Sequence, residues 1–347
     1  MVKKIVDFVH DFGLARIIIL GFFLLLCVLA VVLRLDFAEL LSSSLVRIGM
    51  NGVLVLAMLP AISCGIGPNF GVSLGILAGL LGSLIAIELR LDGYVAFTGA
   101  ILFSLPFAAL VGYGYGWLLN RVKGSEMMLA TFVGFSAVSV MKIGWLLLPF
   151  KSPEMAWPIG RGVRVTIALH NRGLAQVLND TLAFNAGGVV IPTGLLAFFL
   201  LCCGLVWVFL RTKTGVAMRA AGDNPRFAEA AGINVDQYRM IGTMVSTILG
   251  AVGIVVFAQS YGFLQLYEGP MFMPFVAVAA ILIGGASIKK ASIANVIIGT
   301  FLFQAILVVA MPVANVFTAD MASMAEISRI IIQNGIIIYA LTQTRGE

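Results

Sequence analysis

The sequence predicts an all-α polytopic membrane protein of about ten transmembrane helices, and three observations carry that expectation. Hydrophobic residues make up 61% of the 347, charged residues only 11%, and the mean hydropathy is +1.06, a balance foreign to a water-soluble domain. Apolar runs of roughly 20 residues, the helix length that crosses a bilayer, recur along the whole chain. Lys and Arg gather in alternate short connections, the bias that keeps such loops cytoplasmic.

Taken in order, the chain opens on MVKKIVDFVHDFGLAR, a basic and partly amphipathic lead that places its start in the cytosol. The first apolar run, Ile17 to Leu33, is of spanning length and no small-residue cleavage site follows it, so it reads as a span and not a signal peptide. Spans are expected at about 17–35, 45–64, 70–89, 96–118, 127–148, 191–210, 239–259, 272–286, 292–312 and 327–343, the eighth being short for a crossing. An even count puts both termini inside. Lys3, Lys4, Arg16, Arg121, Lys123, Arg211, Lys213, Arg219, Arg226, Arg239, Lys289, Lys290 and Arg345 then face the cytosol, while Arg161, Arg164 and Arg172 share one long outer loop, which translocates largely regardless of charge. The net charge of +6 thus reflects topology, and no basic face interleaved with aromatics points to nucleic acid. Cys27, Cys64, Cys202 and Cys203 lie in or beside apolar runs without metal-like spacing and read as small core residues. His10 and His170 are isolated and far apart.

Several stretches depart from a plain span. Ser63-Cys64-Gly65-Ile66-Gly67-Pro68-Asn69-Phe70-Gly71 interrupts an apolar region. It reads either as a tight turn between helices or as irregular backbone lining a solute pathway, since such backbone at membrane depth must be satisfied by protein or by a wet cavity. Gly71, Gly75, Gly79 and Gly82 form a small-residue stripe for close helix packing. Pro106 predicts a kink in the fourth span, whose inner end alternates Gly112, Gly114 and Gly116 with Tyr113, Tyr115 and Trp117. Lys142 sits near the outer end of the fifth, where snorkelling suits it, and Glu88, Arg90 and Asp92 form a solvated outer turn. The outer loop, 149–190, contains the alternation Val163, Val165, Ile167, Leu169 and a helix expected from Asn171 to Asn179. It reads as a lid, or as a docking surface offering Lys151, Arg161, Arg164 and Arg172 to an acidic partner. Polar or interruption residues Asn51, Ser63, Asn69, Phe70, Ser73, Thr131, Ser136, Gln259 and Gln304 are candidates for a translocation path. They are uncharged, which suits a hydroxyl-rich or amide-bearing solute and not an ion.

The most informative stretch is the polar island from Arg211 to Val235, RTKTGVAMRAAGDNPRFAEAAGINV. Two short helices are expected in it, the first capped by Thr214 and ending at Gly222, the second capped by Asn224 with Pro225 at its first position and Gly232 after its last turn. On the residues Arg211, Gly215, Arg219, Ala220, Gly222, Asn224, Pro225, Ala230, Ala231, Gly232, Ile233, Asn234 and Val235, the chain resembles the permease subunits of type II ABC importers for simple sugars, nucleosides and branched-chain amino acids. Ala279, Ala280, Gly284, Gly285, Ser287 and Gly299 extend the resemblance. Three customary positions differ: Pro68 or Asn69 stands at the acidic place of a glycine-rich signature retained at Gly65, Gly71 and Ser73, Pro274 at a second acidic place, and Lys290 and Ala291 at a glycine pair. Such departures suggest one of two non-identical permeases.

The resemblance implies a single transmembrane permease domain over 1–347 with a cytoplasmic coupling segment at 211–235 and an extracytoplasmic loop at 149–190. Coupling would rest on Arg219, Gly222, Asn224, Pro225, Phe227, Glu229 and Gly232. It implies ATP-binding-cassette ATPase subunits, a second permease subunit and an extracytoplasmic substrate-binding protein as partners, in a bacterial cytoplasmic membrane, with no cofactor. The solute would be a simple sugar or nucleoside, a branched-chain amino acid being the alternative. No G-x-S-x-G, H-E-x-x-H, Walker loop or paired intramembrane carboxylate occurs, so neither catalysis nor ATP hydrolysis is expected of this chain. An ion-coupled carrier or channel would need charged coupling groups well inside a span, and the sequence offers none. A non-transporting assembly subunit is the remaining reading.

Overall fold

The computed structural model describes residues 14–157 and 162–317, and at the C-terminal end 330, 331, 333–335, 337 and 338. Its membrane helices are α1 (Leu14–Val32), α2 (Phe37–Leu56) continued by α3 (Met58–Ser63), α4 (Ser73–Glu88), α5 (Gly93–Arg121), α6 (Glu126–Leu147), α8 (Thr193–Arg211), α11 (Val235–Tyr261), α12 (Gly269–Ile283) and α13 (Ile293–Phe317). Among the described residues seven segments are long and apolar enough to cross a membrane, with the shorter apolar helices Ile18–Val32 and Gly269–Ile283 beside them. They fall on the first nine expected spans; most of the tenth, 327–343, lies outside the described residues.

The second span starts earlier than its hydropathy suggests. Asp36 caps α2, its Oδ1 accepting from the Ala38 and Glu39 amides, and the Ser42 and Ser44 hydroxyls donate back to the Ala38 and Leu40 carbonyls. A polar turn that looked like a connection is thereby made helical. α5 runs through Pro106 without ending.

α4 forms the centre, and small residues let it. A Cβ on Gly79 would lie 3.0 Å from the Ala251 Cα of α11, and one on Gly82 would lie 2.7 Å from the Ser104 amide of α5. Backbones can approach that closely only without side chains, and between lipid-solvated helices van der Waals packing of this kind drives association. The outcome separates inner from outer helices: 89% of an 18-residue apolar stretch of Phe70–Glu88 is buried within the protein, against 17% of the corresponding stretch of α6. α12 and α13 close on each other in the same way, Gly284 lying against Asn295 and Gly299 while the Asn295 Nδ2 donates to the Gly284 carbonyl at 2.8 Å.

The outer loop folds onto the ends of the bundle. Thr166–Ala168 (β1) pairs antiparallel with Phe263–Gln265 (β4), Ile167 opposite Leu264, and Phe184–Ala186 (β2) pairs with Val189–Ile191 (β3). The expected alternation is thus a strand with Ile167 inward. The expected helix over 171–179 is not formed. A 3₁₀ turn, His170–Arg172, and a single helical turn, α7 (Val177–Asp180), replace it, because Gly173 and Gln176 take left-handed backbone, φ +56° and +59°. Charges read as solvated or free are engaged. Glu88 accepts from the Lys151 and Ser152 amides, and Lys142 pairs with Glu268 at 2.9 Å instead of merely snorkelling. Arg172 is held by Glu154 at 2.8 Å and by Asp92 at 3.6 Å, and its hydrogen bond to Glu154 raises its pKa.

Candidate functional site

The polar island folds into two helices in series, α9 (Lys213–Asp223) and α10 (Pro225–Ala230), between the spans α8 and α11. Each start is fixed by a side chain three residues ahead. Thr212 Oγ1 accepts from the Gly215 amide, Asn224 Oδ1 from Phe227 and Asn234 Oδ1 from Gln237, each cap worth about 1 kcal/mol. The first cap is therefore Thr212 and not Thr214, which lies inside the helix; Thr212 keeps the extended backbone a cap needs, φ −69°, ψ 163°. α9 continues one residue past Gly222 to Asp223. Gly232, φ +80°, follows the last turn of α10 in left-handed backbone that suits glycine.

The two faces of this element differ. Met218, Ala221 and Ala228 are buried toward the bundle, whereas Arg219, Asn224, Pro225, Arg226, Phe227 and Glu229 are exposed, Phe227 at 70%. Phe227 is thus a large apolar ring left bare on a capped six-residue helix between two spans. Arg219 is tied inward at one end: its Nη2 donates to the Leu210 carbonyl at 3.0 Å and closes the elbow between α8 and α9. Gly215 permits that elbow, since a Cβ there would lie 2.6 Å from the Leu210 Cα. Gly222 faces the other way, onto Ser63–Gly65.

Behind it lies the interrupted helix. α3 ends at Ser63, Gly65 and Gly67 take φ +80° and +88°, and a 3₁₀ turn, Phe70–Val72, leads into α4. Residues Ile66 to Asn69 are all buried, so every polar group must find a protein partner. Asn69, with no exposed surface, is the hub. Its Oδ1 accepts from the Gly71 amide (3.0 Å) and the Tyr115 hydroxyl (2.9 Å), and its Nδ2 donates to Ser246 Oγ (2.9 Å), which donates to the Ala57 carbonyl (2.6 Å). An aspartate could not donate to Ser246, so the amide fits its surroundings. Ser73 donates to the Pro270 carbonyl at 2.9 Å. Phe70, Phe275 and Phe135 pack ring to ring, 5.3 and 6.0 Å between centroids, and bring the interruption, α12 and α6 together.

The other candidate path residues lie apart from this group or bond locally. Asn51 donates to the Arg47 carbonyl and Thr131 to Met127 within their own helices. Gln259 is at the outer end, where its Oε1 accepts from the Leu178 amide and its Nε2 donates to Asn179; it fastens the outer loop to α11. Gln304 is buried on α13 and Ser63 is half-buried. Among the described residues no group of three or more His, Cys, Asp or Glu could hold a metal ion.

Two features escaped sequence reasoning. Arg239 serves there only as a topology marker, yet it is buried and paired with Glu126 at the start of α6; a basic and an acidic residue at the ends of two spans were the available signal. Tyr115 and Ser246, the partners of Asn69, carry no local signal at all.

The sequence pattern of the family described as "Branched-chain amino acid transport system / permease component" matches residues 40–341. An autoinducer 2 import system permease protein, LsrC, of Enterobacter sp. (strain 638) is 27% identical over 283 residues, 81% of this chain and 74% of that one. A tyrosine transport system permease protein of Clostridioides difficile (strain R20291) is 26% identical over 241 residues, 66% of this chain and 81% of that one. A nucleoside ABC transporter permease protein, NupC, of Lactococcus lactis subsp. cremoris (strain MG1363) is 32% identical over 98 residues, 28% of this chain and 31% of that one. With a helical, multi-pass architecture and a match across most of its length, this chain belongs to the branched-chain amino acid transport system permease family of ABC transporters, and is a membrane transport subunit.

Proposed function

We propose that this permease forms, with a second permease subunit, the route by which a simple sugar or a nucleoside enters a bacterial cell across the cytoplasmic membrane. ATPase subunits engage the 211–235 segments from the cytosol, where both termini also lie, and an extracytoplasmic binding protein delivers the solute to the face covered by the 149–190 loop. The carrying observation is the two-faced coupling element: an exposed Phe227 with Asn224, Pro225 and Glu229 beside it on one side, and the interrupted helix against Gly222 on the other. Arg219 and Gly232 fix its shape. The uncharged character of Ser63, Phe70, Ser73 and Thr131 near the interruption supports a neutral, hydroxyl-bearing solute. Asn69 acts in the path by holding its helices in register through Tyr115 and Ser246, and Asn51, Gln259 and Gln304 add uncharged polar groups to it.

An amino acid is the second reading. It is favoured by the tyrosine transport relative, which aligns with 66% of this chain where the nucleoside relative aligns with 28%. Copurification of the tagged chain from its native membrane tests the coupling: an ATPase is expected with the wild type and not with a variant carrying Gly at Asn224, Pro225 and Phe227. Absence of any ATPase from the wild type in mild detergent overturns the reading. Uptake of ribose, uridine and leucine by the reconstituted complex then separates the solutes.

A further inference from the structure

One contact between the coupling element and the interrupted helix is made of backbone alone. Gly222, in the last turn of α9, packs on Ser63–Gly65: a Cβ at Gly222 would lie 2.8 Å from the Gly65 amide nitrogen and 2.9 Å from the Cys64 carbonyl carbon, and one at Gly65 would lie 2.9 Å from the Gly222 Cα. Gly65 is required twice over, since its φ of +80° also excludes most side chains. Cys64 beside it is wholly buried, covered by Met218 of α9 and by Gly242 of α11, where a Cβ would lie 2.6 Å from the Cys64 Sγ and 3.1 Å from the Met218 Sδ. A side-chain contact can absorb a small displacement by changing rotamer. Two backbones in contact cannot, and close-packed interiors transmit strain.

We propose that Gly222 and Gly65 are positioning residues for transport: the joint between them passes displacement of the coupling segment directly to Ser63–Gly65, and through it to the interruption that carries Asn69 and Phe70. This rests on the ATPase-coupling reading above. α9 otherwise meets the interrupted helix through side chains such as Met218, so the glycine pair is where a push from the cytosol reaches the interrupted backbone with least slack.

Cys64 reports on the joint from within. In a tagged chain with Cys27, Cys202 and Cys203 replaced by Ala, purified with its ATPase from native membranes and placed in nanodiscs, Cys64 becomes the sole thiol. Its rate of labelling by N-ethylmaleimide is measured without nucleotide and with ATP plus vanadate. A several-fold change on adding nucleotide is expected, because moving Ser63–Gly65 relative to α11 alters the cover over the thiol. The same change should vanish in Gly222→Ala with the ATPase still on the gel. An unchanged rate in the parent, with the ATPase present, overturns the inference and leaves the coupling reading standing; so does a Gly222→Ala complex that responds like the parent. A parent that brings down no ATPase removes both. The parent alone decides the matter if Gly222→Ala does not fold.

Discussion

The chain breaks its helical run twice in ways that bear on function, and the two breaks are satisfied by opposite means. Over 211–235 the orphaned amides at helix starts are met by Thr212, Asn224 and Asn234, each bonding a backbone amide three residues on, and the outer face meets water. Over 57–73 most residues are buried; the amides of Cys64, Gly65, Ile66 and Gly71 are met from nearby, but the side chains that hold the break in place find partners far along the chain, Asn69 with Tyr115 at a separation of 46 residues and Ser246 at 177, and Ser73 with Pro270 at 197. An exposed break can be repaired locally because water accepts what the caps leave over. A buried break needs a built network, and that network ties several helices to one point. Damage should therefore scale oppositely in the two places, with stability lost at the buried break and partner binding lost at the exposed one.

The largest loss of stability is expected at a buried pair outside both breaks, Glu126–Arg239 between α6 and α11, whose side chains are 12% and 8% exposed. Glu126→Ala leaves a buried guanidinium without its partner, and breaking such pairs costs about 3–5 kcal/mol. Thermal unfolding of the purified protein in detergent should show a clear fall in Tm, and adding Arg239→Met should restore much of it, because an apolar replacement of both partners removes the stranded charge. A double variant no better than the single would mean that the pair is not the cause. Next comes Asn69→Leu, which strands the Gly71 amide and the Tyr115 hydroxyl. Each buried group left unpaired costs about 1–3 kcal/mol. Adding Tyr115→Phe should recover part of that loss, and a cycle with no coupling between 69 and 115 would contradict the hub.

The same contrast sets what a reader of the sequence can see. The Asn224 cap is legible because Asn224-Pro225 stands immediately before its helix, so residue type and spacing suffice; the cap expected at Thr214 falls instead at Thr212, where the backbone is extended, and the Asn234 cap was not read. The glycine stripe of α4 was legible as packing because its period alone specifies a face. The network around Asn69 was not, since nothing near Tyr115 or Ser246 marks them as its partners. Nor was the work of Gln259, which bonds residues of the outer loop 80 and 81 positions away. Polar residues in spans are readable as polar; whether they line a route or lock two elements together is decided by the fold.

At the exposed break the expected losses are smaller and of another kind. Asn224→Ala removes the cap on the Phe227 amide and should cost about 1 kcal/mol, a modest shift in Tm, while loosening the one turn that presents Phe227. ATPase retention on the tagged chain should weaken more than stability does. Asn224→Ser, which can still cap, should restore both, and failure of that rescue would assign the residue a role other than capping.

Phe227→Ala should have the least effect on stability. The ring is 70% exposed and makes none of the ring contacts that join Phe70, Phe135 and Phe275. Surface substitutions of this kind stay within about 0.5 kcal/mol, so the melting curve should overlay that of the wild type. Retention of the ATPase should nevertheless fall steeply, because a bare aromatic on a rigid, capped turn has the character of an anchor that a partner's pocket desolvates. Trp at the same position should keep part of the binding and Asp none, an ordering that follows ring burial and not local structure. If Phe227→Ala binds the ATPase as well as the wild type does, the exposed ring is not the anchor, and the contrast drawn between the two breaks loses its functional half while its structural half, measured at Asn69, remains.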